Sequence, residues 1–275
     1  MSLIKSLITM HINIYLIIHY NNIDMNLENE GAVIAKINGT KKKLYVSENN
    51  EDVNTVFQEM KLPKGQSFQV IPDPEKERQI LLVIGASNSG KSYFTAQYCE
   101  QYQALHKKNQ IYLFSSLSED PSIDKIKNLK RIDITNEEFT DEPIDIVEFA
   151  NSCIIFDDCE VIKNKRLREF VEAIADQAMI IGRHHNITVI MLSHTACNGN
   201  KSKQVLNECT SITIFLRTMQ GRALKYLAEN YLQLDKEQIK KLKSMKKYGR
   251  ALTITKTYPQ VAITEQCAYV LELED

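Results

Sequence analysis

The chain has 275 residues, 43% hydrophobic and 25% charged, which is ordinary globular usage and excludes a disordered or low-complexity protein. Its formal net charge of −1 at pH 7 supplies no global basic field, so any nucleic-acid contact has to come from local patches. Six cysteines (Cys99, Cys153, Cys159, Cys197, Cys209, Cys267) form no C-x-x-C pair, which argues for reduced, packed thiols in a cytosolic setting and against zinc or disulfides.

At the N-terminus, Leu7 to Ile18 is rich in isoleucine but interrupted by His11 and Asn13. It is too short for a membrane span and lacks a small-residue cleavage site. It reads as an edge strand, or as translated sequence upstream of a start at Met25, at least as readily as a signal peptide. No other stretch is apolar for long enough to cross a bilayer. The next run holds short β-like segments, Ala32 to Ile37, Lys43 to Val46 and Phe68 to Ile71, and ends at the breaker Pro72-Asp73-Pro74. Residues 1–75 therefore read as a small β-rich extension, of which residues 1–24 need not be structured.

Ile80 to Ile84 is an apolar run that enters GASNSGKS, residues 85–92, a fit to G-x-x-x-x-G-K-[ST] at every specified position. A helical pattern leaves it, with Phe94, Tyr98, Tyr102 and Leu105 spaced to share one face. Strand, loop and helix are the context that makes this motif a phosphate cradle. Gly85 and Gly90 let the backbone of Ala86, Ser87, Asn88 and Ser89 turn its N–H groups toward a β-phosphate at the positive end of the helix. Lys91 reaches the β- and γ-phosphates, the Ser92 hydroxyl completes a Mg²⁺ shell, and Tyr93 follows at the nucleotide. ATP and Mg²⁺ are the ligands implied.

Strands and helices then alternate. Ile111 to Phe114 and Ile132 to Ile134 read as strands, and Cys153 to Phe156 as another that ends in Asp157 and Asp158, the Walker B pattern. Asp157 is placed to hold Mg²⁺, and Asp158 to polarise the attacking water as general base. An amphipathic helix follows, with Leu167, Phe170, Val171, Ile174, Ala175, Ala178 and Met179 on its apolar stripe. Ile187 to Leu192 is a strand that delivers Ser193 and His194 at its C-terminal end, where either residue can read the γ-phosphate. Ile212 to Leu216 is the last core strand. The alternation predicts an α/β fold with a mostly parallel sheet and helices on both faces. A full strand–helix–strand interval between the two motifs points to the additional-strand, RecA-like class of P-loop ATPases. In that class the sensor strand lies between the loop strand and the Walker B strand. The core spans 76–232. In 233–275, Asp235 and Gln238 form a capping box before a lysine-rich helix, and Ala251 to Thr257 and Val261 to Leu273 form a β-hairpin around Tyr258-Pro259-Gln260.

Two arginines are candidates for a finger reaching a neighbouring subunit's γ-phosphate: Arg183, in Gly182 to Asn186 before the sensor strand, and Arg222, after the last core strand. Two basic runs are candidates for DNA contact, each weighed against an ordinary solvated helix face. One is Lys163, Lys165, Arg166 and Arg168; the other is Lys236, Lys240, Lys241, Lys243, Lys246, Lys247 and Arg250.

GASNSGKS, IIFDD and GRHHNITVI followed by a polar sensor, in that order, resemble the genome-packaging ATPases of large double-stranded DNA viruses, in the FtsK–HerA superfamily. The resemblance covers roughly Gln79 to Arg222, and the arginine-histidine element feeding into the sensor strand is its most specific part. The family usually carries glutamine at the sensor, where this chain has His194. The resemblance implies a ring of five or six subunits that hydrolyses ATP to drive double-stranded DNA into a capsid. It implies a capsid or portal-vertex partner, and a location at assembly sites in the host cytoplasm or within the virion. A P-loop kinase and an ATP-binding assembly switch are the competing readings.

Overall fold

In the computed structural model, residues 15–19, 23–28, 30–48, 56–136, 140, 143–196 and 200–271 are described. In chain order, β1 (Tyr15–His19), β2 (Ile23–Asn26), β3 (Ala32–Ile37), β4 (Lys43–Glu48), β5 (Val56–Lys61) and β6 (Phe68–Val70) precede the core. The core runs β7 (Ile80–Ile84), α1 (Lys91–Leu105), β8 (Gln110–Ser115), β9 (Leu129–Asp133), β10 (Ser152–Asp157), α2 (Lys165–Ile180), β11 (Thr188–Ser193), α3 (Asn200–Glu208) and β12 (Ser211–Phe215). Then come α4 (Gly221–Tyr231), α5 (Lys236–Ser244), β13 (Ala251–Thr255), β14 (Gln260–Ile263) and β15 (Cys267–Leu271).

Among the described residues, one sheet has the order β1-β5-β15-β14-β13-β12-β7-β11-β10-β8-β9. From β12 to β9 every neighbouring pair is parallel. From β12 back to β1 every pair is antiparallel. The sensor strand β11 therefore sits between the loop strand β7 and the Walker B strand β10, the arrangement expected of the additional-strand class. All three end at the same edge, so the loop, the carboxylates and the sensor converge there.

Strand β7 explains why the core is two-sided. Ile80, Leu82 and Ile84 point into one cluster with Leu167, Val171, Ile174, Leu224, Leu227, Ile239 and Leu242 of α2, α4 and α5. Leu81 and Val83 point into the other, with Ala96, Tyr98, Cys99 and Tyr102 of α1. A strand covered on both faces is apolar throughout rather than alternating, as the sequence of β7 is. Helix α1 buries Thr95, Tyr98, Cys99 and Tyr102. Leu105, placed on that face by spacing alone, is 42% exposed because the helix ends there and leaves the sheet. Helix α2 buries the predicted stripe, with Phe170 partly covered, and is capped by Asn164, whose Oδ1 accepts from Leu167 N at 3.2 Å.

The N-terminal extension is β-rich, as expected, but divided. Strands β2, β4, β3 and β6 form a four-stranded sheet, whereas β1 and β5 continue the antiparallel end of the large one. Met25, Ile34, Ile37, Leu44 and Phe68 pack on Met60, Val261, Ile263 and Val270, which seats the small sheet on that end. Of Leu7 to Ile18, the part from Tyr15 onward is the expected edge strand; residues 7–14 lie outside the described residues. The capping box of α5 is present, Asp235 Oδ1 accepting from Gln238 N at 2.8 Å and Gln238 Oε1 from Asp235 N at 2.9 Å. The C-terminal hairpin of β13 and β14 continues into a third strand. The run from Val261 to Leu273 breaks at Thr264 because its hydroxyl accepts from Cys267 N at 3.1 Å and closes a turn there. Of the described cysteines, Cys99, Cys153, Cys209 and Cys267 are buried free thiols and Cys159 a partly covered one; Cys197 lies outside the described residues.

Candidate nucleotide site

The loop between β7 and α1 is tied to the sensor strand at its start, where Gly85 N donates to Ser193 O at 3.0 Å. Ser89 N donates to Ala86 O at 3.1 Å and closes the turn. Asn88 (φ 62°) and Gly90 (φ 113°) take the left-handed conformations that reverse the chain into the helix. Gly85 is required for a different reason. A Cβ there would lie 2.4 Å from Ser89 Oγ and 2.8 Å from the Phe215 ring. The loop is thus packed too closely against β12 for any side chain.

Lys91 opens α1 and is buried to 8% exposure. Its Nζ donates to Gly85 O at 2.8 Å, so loop carbonyls satisfy the ammonium that a phosphate would otherwise engage. Burial lowers the Lys91 pKa, and Asp157, Asp158 and Glu160 oppose that shift by their charge. Ser92, half-buried, follows in the first turn.

Asp157 ends β10, in register with Ser115 of β8, at 5% exposure. Burial first, and the charge of Asp158 second, push its carboxyl up to about 6, while Lys91 and His194 pull the other way. Asp120, in the loop after β8, adds to the upward shift and belongs to the same acidic field. Asp158 stands at φ 53° and opens a short 3₁₀ turn, Cys159–Val161. An aspartate tolerates this left-handed conformation better than most residues, and it turns the second carboxylate away from the strand line.

The two residues offered as alternatives for the sensor each meet an acid. His194 Nε2 lies 2.8 Å from Asp158 Oδ1. Ser193 Oγ donates to Glu160 Oε1 at 2.5 Å. The structure therefore brings Lys91, Asp157, Asp158, Ser193 and His194 together, and adds Glu160 and Asp120. Sequence spacing offered a weak signal for Glu160, two residues after the carboxylate pair, and none for Asp120, which only the parallel pairing of β8 and β10 brings near.

The candidate fingers lie on opposite edges of the sheet. Arg183 precedes β11, in the 3₁₀ segment Ile181–His185, and so sits at the strands' N-terminal edge, a strand length of roughly 15–20 Å from the loop. It is exposed, its Nε donating to His184 Nε2 at 3.2 Å, beside Ile180 and Ile181 at 51% and 42% exposure. Arg222 is exposed in the first turn of α4, at the edge where β12 and β7 end side by side. Neither touches the loop of its own chain in any hydrogen bond described. A third arginine does: Arg250 Nη2 donates to Ser89 O at 3.1 Å, which removes it from the basic run it was grouped with. Lys241 leaves that run too, pairing with buried Glu59 at 3.0 Å and covering the Tyr269 ring. Arg166 donates to Thr140 O at 3.1 Å and Lys165 pairs with Glu169 at 3.7 Å.

The residues fit a nucleotide with Mg²⁺. Ser89 Oγ is buried beside the loop glycine without a hydrogen-bond partner. The Asp157 carboxyl, held up by burial and a neighbouring carboxylate, is a hard oxygen ligand in surroundings that a divalent cation relieves. Among the described residues, no helix is long and apolar enough to cross a membrane.

No family model matches the chain. It is similar to solved structures of the genome packaging NTPase B204 of Sulfolobus turreted icosahedral virus 2. For the complex with sulfate the identity is 18%, over 73% of this chain and 100% of that one, with a TM-score of 0.49. For the complex with ATP-gammaS the identity is 17%, over 72% and 98%, with a TM-score of 0.47. The pCW3 conjugation coupling protein TcpA is similar at 11% identity, over 89% of this chain and 78% of that one, with a TM-score of 0.41. In sequence, the chain is 33% identical over 253 residues to the uncharacterized protein V3 of Sputnik virophage, covering 90% of this chain and 98% of V3. The chain belongs to the same protein family as V3 of Sputnik virophage.

Proposed function

We propose that the chain is an ATP-hydrolysing motor that moves double-stranded DNA into a viral capsid. The observation that carries the reading is the convergence of a buried loop lysine, two successive carboxylates and two polar sensor residues across β7, β11 and β10. Gly85 to Tyr93 bind the phosphates, and Lys91 supplies the mobile positive charge on the β- and γ-oxygens. Asp157 and Ser92 hold Mg²⁺, which when bound neutralises charge on the phosphates. Asp158 takes a proton from the attacking water, and His194 orients that carboxylate. Arg183 enters a neighbour's site in this reading, which its exposure beside two exposed isoleucines at the edge away from its own loop supports. Arg222 is the rival for that role. In this reading 76–232 is the motor core, flanked by the extension 1–75 and the basic segment 233–275. Its partners are duplex DNA, further copies of itself in a ring of five or six, and a capsid or portal component at assembly sites in the host cytoplasm.

The test is ATP turnover measured without DNA and with duplexes of increasing length. A translocating motor shows basal hydrolysis that rises with duplex length to a plateau. Hydrolysis indifferent to DNA returns the chain to an assembly switch, and phosphate transfer to an added acceptor makes it a kinase.

A further inference from the structure

Beside the phosphate loop lies a cavity of about 290 Å³ that no step above uses. Its size is at the lower end of small-ligand pockets. Ser89 and Gly90 of the loop form one end, and Tyr93, Phe94 and Gln97, on the first two turns of α1, form a wall. The opposite wall comes from the small N-terminal sheet, through Gln69 and Val70 of β6 and Asn38 in the turn after β3. Phe215 of β12 and Ile263 of β14 give the floor its apolar part, and Arg250, Thr253 and Glu265 add polar groups beside them. Polar side chains at its margin are already oriented. Gln97 Nε2 donates to Tyr93 Oη at 3.0 Å, and Gln69 Nε2 donates to Gln97 O at 3.0 Å. The Gln69 carbonyl is thereby left as an acceptor, and the Tyr93 ring, 63% exposed, is held against α1.

We infer that this cavity receives the nucleobase and ribose of the bound nucleotide. The inference rests on the reading of Gly85 to Ser92 as the phosphate cradle. With the β-phosphate inside the loop, the α-phosphate leaves it at the first turn of α1, past Ser92 and Tyr93, and whatever is attached there extends along that turn. The cavity begins at that point. Walls with several aromatic rings, Tyr93, Phe94 and Phe215 among them, and the fixed amides of Gln69 and Gln97 suit a flat heterocycle, which stacks through its face and hydrogen-bonds through its edge. Because one wall belongs to β6 and the other to α1, an occupied cavity also ties the N-terminal sheet to the core that carries the carboxylates.

The test uses two probes, ATP and inorganic tripolyphosphate, each with Mg²⁺, titrated calorimetrically into the full chain. Tripolyphosphate occupies the loop but has no base. Val70→Trp fills the cavity from the β6 side and is expected to weaken ATP at least tenfold while leaving tripolyphosphate unchanged. Tyr93→Ala, at a position 63% exposed, is expected to weaken ATP roughly fivefold or more, with Tyr93→Phe near wild type. Amide exchange at residues 67–70 is expected to slow with ATP and not with tripolyphosphate. ATP affinity unchanged in both cavity variants, or equal losses for both probes, overturns the base site and leaves the phosphate loop standing. A wild-type chain that binds neither probe overturns the phosphate loop itself.

Discussion

Three carboxylates and an ammonium that share one edge of a sheet cannot all be comfortable, and the discomfort is informative. Asp157 is the group most displaced from its ordinary range, at about 6 instead of 3.8, because burial and Asp158 both disfavour its charge. A folded pKa above the unfolded one means that protonation favours the fold. This contribution is fully present below pH 3.8 and is lost as pH rises through about 6. Asp157→Asn carries no such penalty, so nucleotide-free variant and wild type should differ little near pH 4. Above pH 6 the variant should be the more stable, by on the order of 2 kcal/mol. Urea denaturation at both pH values checks it; equal stability throughout contradicts the strained carboxylate.

The same residues should fail differently in turnover. Lys91→Ala removes the charge that faces the phosphates, so hydrolysis should be lost with reduced nucleotide affinity. Asp158→Asn keeps the contact with His194 but removes the base, so ATP should bind and stay unhydrolysed. Asp157→Asn should instead be partly rescued by raised Mg²⁺. Single-turnover assays across a Mg²⁺ series separate the three, and normal hydrolysis by Asp158→Asn would transfer the base to Glu160, which Ser193 holds nearby.

At the scale of elements, local pattern and the order β7-β11-β10 were readable, whereas most pairings of the antiparallel end of the sheet were not. The apolar run of β7, the stripe of α2 and the Asp235–Gln238 box each follow from periodicity or capping within a few residues, and each stands where expected. Helix α4 gave no comparable signal, since its short pattern follows Gln220, which makes no side-chain cap. The placement of β5 beside β15, and of Arg250 against Ser89 across 161 residues, depends on contacts that only the assembled sheet creates. The lysine-rich helix shows both sides of this. Its buried Ile239 and Leu242 follow the helical repeat, and Lys236, Lys240 and Lys243 remain exposed, whereas Lys241 is taken by Glu59. With the exposed Lys246 and Lys247 just beyond the helix, these are the members of the run that can meet a phosphate backbone. Replacing them together with glutamate should leave basal ATP hydrolysis intact, abolish its stimulation by duplex DNA, and flatten the salt dependence of DNA binding. Unchanged stimulation makes this surface an ordinary solvated face and moves attention to the exposed Lys163 before α2.

For the whole molecule, the sheet places the 85–92 loop at the C-terminal edge of its parallel strands and Arg183 at the other, so on the proposed reading one chain would hold the two halves of a shared site facing apart. A closed ring of identical subunits is the arrangement that brings such halves together, each subunit lending its arginine to the next. The direct test mixes two inactive variants, Lys91→Ala and Arg183→Ala, and measures ATP hydrolysis in mixtures shown by light scattering to co-assemble. Arg183→Ala alone should bind ATP yet hydrolyse it roughly 10³-fold more slowly. In mixed rings the intact loop of an Arg183→Ala subunit meets the intact arginine of a Lys91→Ala neighbour, and activity should return in part. Recovery with Arg222→Ala in place of Arg183→Ala, and not with Arg183→Ala, keeps the ring and reassigns the finger. Co-assembled mixtures that stay inactive with both arginine variants contradict a motor whose sites are completed by the neighbouring subunit.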